Sequence, residues 1–116
     1  MKKPYISTII VARNAGKSIE KSLKSLIEQD YPKDLYEIIF VDGVSEDQTL
    51  KIAENILENS KLDYQIIINP KKTLASGWNL AIKKAKGNYV VRIDAHVEAY
   101  KDFLDKSIST LLEMQD

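Results

Sequence analysis

No cysteine occurs in these 116 residues. Disulfides, thiolate nucleophiles and zinc–thiolate sites are thereby excluded, and a reducing compartment fits. There is a single histidine and no GxSxG elbow, so a Ser/His/Asp relay has little to draw on. The four glycines form neither GxGxxG nor GxxxxGK(S/T), which argues against a dinucleotide-binding Rossmann domain and a P-loop. An excess of one charge is also missing. Seventeen Lys and Arg balance seventeen Asp and Glu, so no broad field draws the chain to nucleic acid or an anionic membrane. The six tyrosines are scattered, without the interleaving of a nucleic-acid surface. No nucleic-acid partner is expected. The apolar run in MKKPYISTIIVARN is broken by Ser7 and Thr8 and ends at Arg13. It is too short to cross a bilayer and lacks a small-residue cleavage site, and no later stretch is long enough.

What remains is a chain that is 44% hydrophobic and 29% charged, the balance of one soluble globular domain over residues 1–116. Four runs rich in Ile and Val, at residues 6–12, 37–41, 65–68 and 89–93, have strand length. They do not alternate cleanly with polar residues, which predicts parallel strands covered on both faces. Helical patterns separate them. Ile19, Leu23, Leu26 and Ile27 make one stripe. Ser45-Glu46-Asp47-Gln48 has the form of a capping box ahead of Leu50, Ala53 and Leu57. Trp78, Ala81, Ile82 and Ala85 mark a third helix, with Gly87 as its stop. Phe103, Leu104, Ile108, Leu111 and Leu112 mark a fourth over 102–114. Residues 29–36 read as an ordinary loop. The order β-α-β-α-β-α-β-α predicts an α/β fold, an open and mostly parallel Rossmann-like sheet with flanking helices.

Ligands of such sheets sit at the carboxyl ends of the strands, so the residues after each strand matter most. They are Arg13-Asn14-Ala15-Gly16, Asp42-Gly43-Val44-Ser45, Asn69-Pro70-Lys71-Lys72 and Asp94-Ala95-His96. Asp42 can accept from a ribose hydroxyl or a base N–H, or it can simply make a turn. Ser45 is expected to cap the second helix. Asp94 and His96 lie two apart. On extended backbone they would share a side and could hold one divalent cation between a carboxylate and an imidazole, which suits Mn2+ better than Mg2+. A strand-end acid beside an exposed histidine is the plainer alternative. Arg13, and more weakly Lys71 and Lys72, offer positive charge to phosphates. Trp78 reads as a partly buried helix residue rather than a stacking platform.

Four blocks in order resemble the amino-terminal half of inverting family 2 glycosyltransferases of the GT-A fold. ISTIIVARNAGKSIEKSLKSLIEQ is similar to the opening strand and helix. EIIFVDGVSEDQT is similar to VDDGSxDxT or VDGxSxDxT. NPKKTLASGWNLAIKKAKGNYVVRIDAH carries Ala75, Gly77, Asn79 and Gly87 at familiar spacing, and Asp94-Ala95-His96 falls where the family has its DxD metal motif. The variant RIDAH resembles the succinoglycan-type exopolysaccharide subgroup. The resemblance implies a nucleotide diphosphosugar donor, most often a UDP-sugar, and a divalent cation, Mn2+ or Mg2+. It implies a saccharide or lipid-linked acceptor in the full-length protein. The nucleotide-binding residues it implies are Ala12, Arg13, Asn14, Asp42, Asn79 and Asp94, and the metal ligands are Asp94 and His96. It places such enzymes in the cytoplasm or on the cytoplasmic face of a membrane. The family's later strands and its catalytic base lie beyond the matching blocks, and Glu98 and Asp102 are not at the base's position. The chain is therefore expected to be a donor-binding half, inactive alone, with an exposed edge that favours a homo-oligomer. A nucleotidyltransferase and a receiver-like signalling domain are the competing readings. The first wants a richer glycine loop than ARNAGKS, and the second wants paired acids where Arg13 and Asn14 stand.

Overall fold

The computed structural model describes residues 3–113. Its elements run β1 (Ile6–Ala12), α1 (Ile19–Ile27), β2 (Tyr36–Asp42), α2 (Thr49–Glu58), β3 (Asp63–Ile68), α3 (Leu74–Lys84), β4 (Tyr89–Asp94) and α4 (Phe103–Glu113). The four strands form one sheet in the order β3-β2-β1-β4, and every pair is parallel. Parallel pairing requires a crossover between strands, and each helix supplies or follows one. The α/β expectation holds, with its helices on both faces.

Alternation along the strands sorts the core into two layers. Ile6, Ile10, Ile38, Phe40, Val91 and Ile93 face α1, α2 and α4, whose Leu23, Leu26, Leu57, Leu104 and Ile108 complete one cluster. Ile9, Ile39 and Val41 face α3 through Ala81, with Trp78 and Ala85 beside them. β1 and β2 are central, so nearly every residue in them is buried. β3 and β4 are edges and are not covered on both faces: Ile68 is 48% and Val90 42% exposed. Expected cover on both sides thus fails at the margins, where no further strand or helix lies against them among the described residues.

A buried acid joins the strands at their amino ends. Glu37 is 1% exposed. Its carboxylate accepts from the Ser7 hydroxyl at 2.8 Å, the Lys86 amide at 2.9 Å and the Gln65 side-chain amide at 3.1 Å. The Ser7 oxygen in turn accepts from the Gly87 amide at 2.8 Å. A buried carboxylate without a cation needs such donors, and these tie the α3–β4 connection to β1 and β2.

Several boundaries differ from the sequence reading. α2 starts at Thr49 rather than at a Ser45 cap, because Ser45 is engaged elsewhere. Gly87 has no positive φ, so it is not a left-handed helix stop. α3 ends at Lys84, and Ala85 is extended. Residues 29–36 hold a 3-10 turn at Lys33–Leu35 and two buried tyrosines, Tyr31 and Tyr36. The Tyr36 hydroxyl donates to Leu26 O at 2.8 Å, and burial pushes its pKa up. Met114, the expected last residue of the fourth helix, lies outside the described residues.

Candidate functional site

From β1 the chain moves to β2 and β3 on one side, then returns across the sheet to place β4 on the other side of β1. Strand order therefore reverses between β1 and β4. In sheets of this kind ligands lie at that point, beyond the carboxyl ends. Val11 pairs with Asp94 and Ala12 with Asp42, which brings the three strand-end loops to one rim.

The loop after β1 is held by side chains from the loop after β2. The Asn14 amide donates to Ser45 Oγ at 2.9 Å, the Ala15 amide to Thr49 Oγ1 at 2.8 Å and the Gly16 amide to Asp47 Oδ2 at 3.0 Å. In return the Glu46 amide donates to Asn14 Oδ1 at 2.7 Å. These bonds hold Asn14 at φ 52°, a conformation Asn tolerates better than most residues. Asp47 Oδ1 also accepts from the Thr49 hydroxyl and amide. The hydroxyl contact is the largest cause holding the Asp47 carboxyl below its ordinary value. Sequence alone does not mark Ser45, Asp47 and Thr49 as organisers of these loops. Their signal is three short oxygen-bearing side chains at alternate positions, a spacing that also reads as a capping box.

Asp42 ends β2 and is only 2% exposed. Its Oδ1 accepts from the Ser45 hydroxyl at 2.6 Å and its Oδ2 from the Ser45 amide at 3.0 Å. The turn role and a ligand role are compatible, since each carboxylate oxygen can accept twice. Val44 in the same turn has φ 58°, an outlier for a β-branched residue. Arg13 reaches back over this turn. Its Nε donates to Gly43 O at 3.0 Å, and its Nη2 lies 3.6 Å from Glu46 Oε1.

On the other side of β1, Asp94 and His96 are not side by side on a strand. The Val97 amide donates to Asp94 O at 3.1 Å, so residues 94–97 turn. The extended i, i+2 geometry expected from sequence is replaced by this turn, in which the His96 amide donates to Asp94 Oδ1 at 2.7 Å. The His96 ring instead meets α1: its Nδ1 is 2.9 Å from Ser18 Oγ. Asp94 Oδ2 and His96 Nε2 have no partner among the described residues, and both residues are exposed. Among the described residues, no three His, Cys, Asp or Glu side chains group to hold a metal. The donor set of one carboxylate oxygen and one imidazole nitrogen fits a borderline divalent cation whose other ligands come with a phosphate.

The remaining candidates lie apart. Asn79 is exposed in the middle of α3, beside a groove of about 240 Å3 lined by Asn69, Pro70, Lys71 and Ser76. Lys71 and Lys72 are exposed. Trp78 is half-buried, as read from sequence, and the Arg92 guanidinium stacks 4.9 Å from its ring centroid. No helix among the described residues is long and apolar enough to cross a membrane.

The comparisons agree with this architecture. A glucuronosyltransferase of Methanococcus voltae, the dolichyl N-acetyl-alpha-D-glucosaminyl phosphate 3-beta-D-2,3-diacetamido-2,3-dideoxy enzyme, is 36% identical over 107 residues, 91% of this chain and 33% of that protein. Staphylococcus aureus TarS 1–349 in complex with UDP-GlcNAc superposes with a TM-score of 0.81 at 31% identity, over 94% of this chain and 31% of that one. The mannosyltransferase PcManGT of Pyrobaculum calidifontis, in complex with GDP-Man and Mn2+, gives 0.89 at 28% identity, over 95% and 33%. The chain thus spans about a third of the length of these proteins, and its sheet is the Rossmann-like one of GT-A glycosyltransferases. The family model described as glycosyl transferase family 2 matches residues 7–115, and the chain belongs to that family.

Proposed function

We infer that the chain is the donor-binding part of an inverting glycosyltransferase that takes a sugar from a nucleotide diphosphosugar, best a UDP-sugar, for a saccharide or lipid-linked acceptor. The observation that carries this is the convergence of strand ends where the strand order reverses, with Asp42 on one side of β1 and Asp94 and His96 on the other. The nucleoside would lie against the main chain at Ala12 and Arg13 and the side chain of Asn14, with Asp42 accepting from base or ribose. Nδ2 of Asn14, which has no partner among the described residues, is the group to donate there, since its Oδ1 accepts from the Glu46 amide. Arg13 offers positive charge at the rim, and Asn79 is the outlying member of the set. Asp94 and His96 would hold Mn2+ or Mg2+, which when bound neutralises the departing diphosphate. No acid among these residues is assigned as the catalytic base. The RIDAH variant favours the exopolysaccharide-type subgroup, and a cytoplasmic or membrane-face setting suits a nucleotide donor.

Calorimetric titration of UDP with and without Mn2+ tests this. We expect binding that Mn2+ strengthens, abolished in Asp42→Ala, and reduced to its metal-independent level in His96→Ala. Melting temperatures of both variants separate a lost ligand contact from a collapsed turn. Absence of UDP binding by the folded wild-type chain at any Mn2+ concentration would overturn the proposal.

A further inference from the structure

We propose that Ser18 is a positioning residue for His96: its hydroxyl fixes the ring with the proton on Nδ1, so that the Nε2 lone pair is presented outward as a cation ligand. The inference rests on the donor-site reading of His96. Its geometry is independent of that reading.

Ser18 stands at the N-cap of α1, where serine ordinarily accepts from an amide of the first turn. Here it makes no such bond. Its oxygen instead lies 3.0 Å from Ala95 O and 2.9 Å from His96 Nδ1, with Ala15 O farther at 3.4 Å. A hydroxyl has one hydrogen, and a carbonyl can only accept. Ala95 is 4% exposed, and its carbonyl has no other partner among the described residues. Buried carbonyls are rarely left unpaired, so the Ser18 hydrogen goes to Ala95 O. The contact with His96 then requires the ring to be the donor, through Nδ1–H. With Nδ1 protonated in the neutral ring, Nε2 carries the lone pair. Outer hydrogen bonds of this kind commonly set which nitrogen a histidine offers to a metal. The same turn aims the ring: the His96 amide is tied to Asp94 Oδ1 at 2.7 Å, and Ser22 Oγ donates to Asp94 O at 3.3 Å. Ser18 at the N-cap of α1 and Ser22 within it, one turn apart, thus hold the β4 turn against the helix.

The chain has one histidine, so nitrogen-15 correlation spectra report a single ring. In alkaline buffer we expect the wild-type ring to be protonated on Nδ1, opposite to the preference of histidine in water. Ser18→Ala should return it to the Nε2–H form and weaken Mn2+ binding in the presence of UDP about tenfold, the usual scale for an outer-sphere partner. Ser18→Thr keeps the hydroxyl and should restore both. A wild-type ring protonated on Nε2, or one unchanged by Ser18→Ala, overturns the proposal. If the tautomer responds as expected but His96→Ala leaves Mn2+ affinity intact, the ligand role fails and takes the proposal with it. The first failure concerns Ser18, and the second concerns the donor-site reading.

Discussion

Gly87 carries no side chain because none fits. A Cβ there would meet the Ser7 amide nitrogen at 2.6 Å and Ser7 Oγ at 2.8 Å, and neither backbone nor a bonded hydroxyl yields easily. Its own amide serves the Ser7 oxygen that serves Glu37. Gly87→Ala is therefore expected to cost about 1–3 kcal/mol, as overpacking does. Urea unfolding would show it as a lower midpoint at unchanged slope, and a midpoint equal to wild type would refute the close approach. Sequence reasoning found this glycine for a different reason. It looked like a left-handed helix stop, but the backbone there is ordinary and the constraint comes from a strand eighty residues earlier. Asp42 shows the same division. Its place at a strand end was legible in EIIFVD, whereas its burial under its own turn was not. That burial depends on Ser45, whose hydroxyl serves both loops by donating to Asp42 and accepting from the Asn14 amide.

At the scale of elements, the connections β1–α1 and β2–α2 behave as one unit. Asp47 is the bridge, accepting from Thr49 within its own loop and from Gly16 across to the other. Since the Thr49 hydroxyl and then its amide lower the Asp47 pKa, the folded state holds the ionised form. Its contribution is complete above the ordinary carboxyl value of about 4 and is lost as pH falls through the lowered one. Asp47→Asn should thus melt below wild type at pH 6, and the gap should narrow as pH falls below about 4. Parallel melting curves across that range would remove Asp47 from the bridge. The helices and strands themselves were largely readable, because Ile and Val runs and 3.6-residue stripes report their own burial. The bridge was not, because a Ser-x-Asp-x-Thr spacing serves equally a helix start and a partner loop. The turn at Asp94 escaped for a related reason: alternation in YVVRID shows where a strand runs, and nothing in the next two residues shows that it stops.

On the scale of the whole molecule, one side of the sheet is under-covered. Among the described residues α3 alone packs on that face, and Val90 and Ile82, 42% and 54% exposed, line a groove of about 340 Å3 with Trp78 and Arg92. β4 is also an edge strand with open backbone groups, a combination that favours pairing between copies. Sedimentation should accordingly depend on concentration, and Val90→Lys should shift the chain toward monomer. Monomeric behaviour of the wild type at every concentration would count against this. The strand order has a consequence for stability as well. β1, β2 and β3 lie side by side in chain order, whereas β4 returns past two strands to reach the far side of β1. Asp94 ends that returning strand and His96 stands in the turn after it. A ligand that bridges the two rims would therefore clasp β4 to the rest of the sheet and stabilise the folded chain by mass action.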